Sequence, residues 1–96
     1  MRESDLQNKC IKYLKSKKIY HLNLFGDGFT GKGKPDVIVC LNGEFIAFEL
    51  KVGKNGLQDD QVVHRNRILH SGGKHFAPRT INEFKEIIEN ENKKRL

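Results

Sequence analysis

The chain has no tryptophan, only two cysteines and two prolines, and no long hydrophobic run. Its apolar stretches are far shorter than the roughly 18 residues of a membrane span, and no signal peptide is recognisable. Neither cysteine belongs to a C-x-x-C pair, and the four histidines lack the spacing of a zinc site. We therefore predict a cytoplasmic protein in which Cys10 and Cys40 are buried, reduced thiols.

Positive charge is in excess. Among 96 residues, 18 are Lys or Arg and 12 are Asp or Glu, which gives a net charge of +6 and a pI near 9.5. A basic balance favours a polyanionic partner, above all nucleic acid. A chain of this length forms one domain with a modest core, so a partner subunit could contribute to its stability.

Hydrophobic periodicity divides the chain into seven elements. Ser4 and Gln7 resemble a capping box that opens a helix over about 4–17. An alternating strand over 20–25 follows, and the next segment, with glycines at 26, 28, 31 and 33, is predicted to be a mobile loop carrying lysines. Two apolar runs then flank Asn42-Gly43, the dipeptide most typical of a two-residue hairpin.

The second half alternates helix, strand and helix. A helix is predicted over about 58–70, with Val62, Val63 and Leu69 buried, and a short strand over 74–77. Thr80 and Glu83 form a capping box for the last helix, and the tail from about residue 90 is polar. Because both hairpin strands are apolar on both faces, helices should cover both sides. The sequence predicts one α/β domain over 1–96, a mixed sheet flanked by helices in the order α-β-β-β-α-β-α.

The hairpin brings two carboxylates together. With a two-residue loop, Leu41 faces Glu44, and counting outward places Asp36 opposite Glu49, with Cβ atoms about 5 Å apart. Lys51, two residues beyond Glu49, points to the same face. Two such carboxylates repel each other unless they bind a cation or share a proton. Ordinary surface charge is the alternative, but the surrounding F-I-A-F-E-L-K-V is otherwise almost entirely apolar.

This group of side chains suits metal-assisted phosphodiester hydrolysis. Carboxylate oxygens of Asp36 and Glu49 are hard ligands for Mg²⁺ or Mn²⁺, and the Leu50 carbonyl could supply another oxygen. The metal would activate water and neutralise charge on the phosphate. Lys51 would orient the water or stabilise the transition-state charge.

At these residues the sequence resembles a known family. G-K-P-D, twelve residues and then E-L-K is similar to the PD-(D/E)xK nuclease signature. Together with the opening S-D-L-Q helix, G-K-G-K before the Asp and G-L-Q-D-D-Q after the Lys, it resembles the VRR-NUC domain in the compact stand-alone form found in phages and bacteria. The resemblance spans residues 3 to about 88. One departure is Gln58, which stands where a small hydroxyl residue is expected.

The resemblance implies a restriction endonuclease-like core that cuts DNA with a divalent metal, in a bacterium or a phage-infected host cell. It implies that Asp36 and Glu49 bind metal, that Lys51 is the catalytic lysine and that Gln61 supports the lysine or the phosphate. Glu3 would reach the metal directly or through water. Stand-alone members are described as homodimers acting on branched DNA, like Holliday junction resolvases.

Several other residues remain open. Lys32, Lys34 and Lys54 could contact DNA phosphates or only add solubility. His64, Arg65 and Arg67 could touch DNA or face water. The stretch 26–33 almost matches a phosphate-binding loop but lacks the Ser/Thr after its lysine, so no nucleotide cofactor is expected. Alternatives to a branched-DNA nuclease are a nuclease for linear duplex, flaps or RNA, a non-catalytic nucleic-acid-binding module and, less favoured, a protein-interaction adaptor.

Overall fold

A computed structural model describes residues 2–25, 32–54 and 56–94. The described chain forms α1 (Glu3–Ser16), β1 (Tyr20–Asn23), β2 (Val37–Leu41), β3 (Glu44–Phe48), α2 (Asp59–His70), β4 (Lys74–Phe76) and α3 (Ile81–Lys93). The predicted α/β class and element order are confirmed, with boundaries mostly within one or two residues. The predicted mobile loop falls largely on 26–31, outside the described residues.

The four strands form one mixed sheet in the order β1-β2-β3-β4, with only the β3–β4 pair parallel among them. Asn42 and Gly43 have φ values of 53° and 84°, as a two-residue type I′ hairpin turn requires. Leu41 pairs with Glu44 and Val37 pairs with Phe48, so the predicted register is confirmed.

The core lies on one face of the sheet. Inward residues of β2 and β3 pack against the apolar stripes of α1 and α3, and Phe48 contacts Phe84 with ring centroids 4.6 Å apart. The core side chains are Leu6, Cys10, Leu14, Val37, Val39, Leu41, Ile46, Phe48, Leu50, Phe84 and Ile88. Burying these side chains supplies most of the hydrophobic stabilisation of the domain.

The opposite face is less covered than the sequence suggested. Here α2 lies over the β3–β4 side, where Ile68 approaches Gly73 and Phe45 closely. Cys40, on the β2 part of this face, is exposed, so the prediction of two buried thiols is wrong for it. The predicted burial of Val63 and Leu69 is also wrong, and Val62 is only half-buried, because α2 contacts the sheet along a narrow strip.

Two helix ends also differ from prediction. Helix α1 begins at Glu3 with Arg2 as its N-cap, so Ser4 lies inside the helix and caps nothing. Helix α3 continues to Lys93 instead of giving way to a polar tail near residue 90, because buried Glu91 is bound by Lys74 and Lys94. Half of the predicted capping box of α3 is confirmed, since the Glu83 N–H donates to the Thr80 hydroxyl at 3.1 Å. The Glu83 carboxylate accepts from the Arg79 N–H at 2.9 Å and not from that of Thr80, so the reciprocal half of the prediction is wrong.

Candidate active site

Two strand ends place the candidate carboxylates side by side. Asp36 directly precedes β2 and Glu49 directly follows β3, where backbone pairing continues past the strands. The Asp36 N–H donates to the Phe48 carbonyl at 3.0 Å, and the Glu49 N–H donates to the Phe76 carbonyl at 2.9 Å. The backbone therefore holds Asp36 and Glu49 on adjacent chain segments, each one residue beyond the last strand pair, Val37–Phe48, while their direct opposition stays a prediction.

The Asp36 carboxylate is anchored by the backbone of the neighbouring strand. Its Oδ2 accepts a hydrogen bond from the Leu50 N–H at 2.8 Å. Burial raises the pKa of Asp36, the Leu50 hydrogen bond opposes that rise, and Glu3 raises the pKa further. The Leu50 carbonyl, predicted to be a further oxygen ligand, belongs to the same residue as this N–H donor.

Glu49 is almost completely enclosed, with 2% of its surface exposed. Its Oε1 accepts a hydrogen bond from the Gln61 side-chain amide, whereas the buried Oε2 has no hydrogen-bond partner among the described residues. Burial first, and the negative charge of Asp36 second, raise the pKa of Glu49 to about 8. A buried carboxylate oxygen without a partner is costly for a fold, so this atom points to a missing ligand.

Lys51 and Glu3 complete the charged group. Lys51 is 9% exposed, its N–H donates to the Pro78 carbonyl at 3.3 Å, and its charge lowers the pKa values of Asp36 and Glu49. Glu3, at the first turn of α1, raises both pKa values. Over the described ranges, however, no three His, Cys, Asp or Glu side chains converge closely enough to form a complete metal cage.

Gln61 connects helix α2 to the site. Its amide nitrogen donates to Glu49, and its side-chain oxygen accepts from the Gln58 N–H at 2.9 Å. The second bond satisfies a backbone donor at the start of α2 that has no partner within the helix. Gln61 thus fixes the orientation of Glu49 relative to α2. The family resemblance implied that Gln61 supports Lys51 or the phosphate, and that role stays a prediction.

The described residues just before Asp36, 32–35, lie against helix α2. Gly33 has a φ of 85°, and a Cβ there would lie 2.6 Å from the backbone carbonyl group of Asp60. Lys34 lies close enough to lower the pKa of Asp36, whereas Lys32 is 88% exposed and pairs with Asp60 at 3.9 Å. Lys54 is exposed after the turn that follows Lys51. The three predicted DNA-contacting lysines therefore flank the site from two loops.

Sequence reasoning missed Arg79. Its guanidinium Nη1 donates to the Gly53 carbonyl at 2.6 Å, which ties the segment after Lys51 to the segment after β4. The two residues are 26 positions apart, and no local pattern signals their contact. Arg79 stabilises the backbone on which the site is built.

Comparison with known proteins finds a similar fold among solved structures. No protein-family model matches the sequence, and no curated protein matches it either. Among solved structures, a VRR_NUC domain superposes on the chain with a TM-score of 0.75 and 20% sequence identity, covering 91% of this chain and 94% of that one. This chain therefore has the fold of a VRR_NUC domain, and the expected restriction endonuclease-like, mixed α/β architecture is confirmed.

Proposed function

We propose that this chain, which has the fold of a VRR_NUC domain, is a divalent-metal-dependent endodeoxyribonuclease. The observation that carries the proposal is half-buried Asp36 next to enclosed Glu49 and Lys51, with one buried oxygen of Glu49 to which no described residue hydrogen-bonds. A protein that only bound nucleic acid would gain nothing from two carboxylates aimed at phosphates, because they would repel the ligand.

The residues present fit Mg²⁺ or Mn²⁺. Mg²⁺ retains several waters and needs only one or two protein carboxylates, so the lack of a three-residue cage among the described side chains is compatible with it. Asp36, Glu49 and the Leu50 carbonyl would hold the ion, and Glu3 would act through a bound water. When bound, the cation would supply Lewis-acid activation of water and neutralise phosphate charge.

Side chains of the protein would supply the transition-state charge stabilisation, the orientation of Glu49 and the phosphate contacts. Lys51 holds a positive charge next to both carboxylates, where it would orient the attacking water or stabilise the phosphorane-like charge. Gln61 would keep Glu49 in one orientation, since it is hydrogen-bonded to both Glu49 and the start of α2. Lys32, Lys34 and Lys54 would contact phosphates on either side of the scissile bond.

Branched DNA is the proposed substrate, since a two-fold dimer would present two matching sites to a four-way junction. The test is incubation of a labelled junction and a matched linear duplex with Mg²⁺, Mn²⁺ or EDTA, beside Lys51→Ala. Paired symmetric junction cuts that need metal and Lys51 support the proposal. Equal cleavage of both substrates would support the nuclease proposal but contradict a preference for branched DNA. Tight binding without any cleavage would favour a non-catalytic binding module. Flap and RNA substrates complete the panel.

The dimer would use the poorly covered face of the sheet. Tyr20, Cys40 and Phe45 are directly opposed across β1, β2 and β3, and all three are exposed, Tyr20 by 67% and Phe45 by 47%. A contiguous apolar row on a short chain is typical of a protein interface. Sedimentation should show a dimer at micromolar concentration that Tyr20→Glu dissociates and Asn82→Glu, on exposed α3, does not. A wild-type protein that sediments as a monomer would contradict the dimer proposal.

A further inference from the structure

The outer surface of α1 carries positive charge that the candidate active site does not use. Five lysines lie between residues 9 and 18, and no acidic residue lies between 6 and 26. Lys9, Lys12, Ser16, Ile81 and Lys85 line, with Tyr13, a shallow groove of about 410 Å³ between the two helices. We refer to this surface as the α1–α3 groove.

We propose that the α1–α3 groove is a second nucleic-acid-binding surface, which holds the phosphate backbone of the duplex that flanks the cleavage site. The inference rests on the proposed nuclease function for the identity of its ligand. Lys9, Lys12 and Lys85 are exposed, and none of them forms an ion pair with another described residue. Their charges are therefore not neutralised within the described fold.

Tyr13 organises the groove. Its ring is half-buried against Phe84, and the Lys85 and Lys17 ammonium groups lie 5.4 Å and 5.8 Å from the ring centroid. A cation over an aromatic face is attracted to it, so these contacts restrict two flexible side chains before any ligand arrives. The exposed glutamates of α3 do not line this groove: Glu89 lines the next hollow along the helix pair, and Glu83 and Glu86 line a hollow beside Pro78.

Both helices lead away from the catalytic group. Helix α1 starts at Glu3, which acts electrostatically on Asp36 and Glu49, and α3 starts three residues after Pro78, whose carbonyl accepts from Lys51. At 1.5 Å per helical residue, Lys9 and Lys12 lie roughly 9 and 14 Å along α1 from Glu3. That distance corresponds to about three to four base pairs of duplex. The groove thus continues the proposed track from the site toward one arm of the substrate.

Contacts between the groove lysines and DNA phosphates depend on charge and not on base sequence. The groove offers lysine ammonium groups and the hydroxyls of Tyr13 and Ser16, which match phosphate oxygens. Among its described lining residues there is no amide, guanidinium or carboxylate side chain that could read base edges. The groove should therefore strengthen binding equally for unrelated sequences, with a marked dependence on salt.

The experiment compares two variants that remove the same charge. Lys12→Gln/Lys85→Gln alters the groove, and Lys18→Asn/Lys93→Gln removes two exposed lysines elsewhere. Duplex binding is measured in EDTA against salt concentration. The groove variant should bind about three- to thirtyfold more weakly than the control, and its log K against log [salt] should be shallower by about two units. Because all four lysines are exposed, thermal unfolding should confirm that both variants fold.

The outcomes separate this inference from the nuclease proposal. If the wild type cuts DNA but the two variants bind duplex with equal affinity, the groove is not a binding surface. The nuclease proposal is still supported in that case. If the wild type never cuts DNA but the groove variant alone loses affinity and salt dependence, the inference that the groove binds nucleic acid is supported. The nuclease proposal is then contradicted. A loss of affinity that depends on base sequence would also overturn the inference, because phosphate contacts cannot produce it.

Discussion

Replacing Glu49 by Gln should stabilise the metal-free protein, although it removes a proposed metal ligand. The glutamate is enclosed, lacks a partner for Oε2 and lies beside Asp36. Two charges about 5 Å apart repel by about 3 kcal/mol at an effective dielectric constant near 20. Glutamine keeps the acceptor for Gln61 and carries no charge, so we expect a gain of about 1–3 kcal/mol where Glu49 is ionised.

The pH dependence has a defined sign. Because the folded protein raises the pKa of Glu49 from 4.5 to about 8, wild-type stability should fall as pH rises between those values. The advantage of the variant should be small at low pH and should reach its full size above the folded pKa. For a domain of this length, 1 kcal/mol corresponds to a shift of roughly 4–8 °C in Tm.

The assay is thermal unfolding at about pH 9, in EDTA and then in Mg²⁺. Glu86→Gln, which removes an exposed carboxylate of α3, is the control and should leave Tm unchanged. Mg²⁺ should raise the Tm of the wild type and of the control, and it should not raise the Tm of Glu49→Gln. A variant less stable than the wild type in EDTA would refute the reasoning, because Glu49 would then be a satisfied structural residue.

Three further perturbations test the supports of the site and of the fold. Gly33→Ala puts a Cβ against the Asp60 backbone at a positive φ, so urea unfolding should show a loss of about 1–3 kcal/mol, whereas Gly56→Ala, in open space, should be neutral. Gln61→Ala frees the buried glutamate and should reduce cleavage about 10- to 100-fold without abolishing binding; unchanged cleavage would exclude a supporting role. Glu91→Gln should cost about 1–2 kcal/mol at neutral pH. Because its lysine partners lower the pKa of Glu91, the difference should vanish as pH falls below the unfolded value of 4.5.

The parts of this structure that could be predicted from sequence are those set by local geometry. Asn42-Gly43 dictates a type I′ turn, the turn fixes the register as far as the Val37–Phe48 pair, and Asp36 and Glu49 are the next residues of the two segments. Likewise Thr80 caps its helix because the relevant N–H is only three residues away. In both cases the interacting groups lie within a few residues or are linked through one tight turn.

The parts that could not be predicted depend on contacts between distant segments. Cys40 lies in an apolar strand that predicts burial, but its exposure depends on how far α2 extends over the sheet. Glu91 resembles a tail residue, and only the approach of Lys74, 17 positions away, buries it within a helix. The family resemblance pointed to a functional role for Gln61, but its contact with Glu49, 12 positions away, was not predicted, since nothing in the polar sequence around Gln61 distinguishes it.

The way the site is held argues that its strain serves a purpose. Asp36 is fixed by the Leu50 N–H and Glu49 by Gln61, while Gly33 itself packs closely against Asp60 of α2. Each support holds the two carboxylates in place, and none of them neutralises their charge. A fold selected only for stability would replace one acid, because removing a buried charge beside another is favourable. Their retention on rigid supports is the arrangement expected where a cation and a phosphate supply the missing interactions.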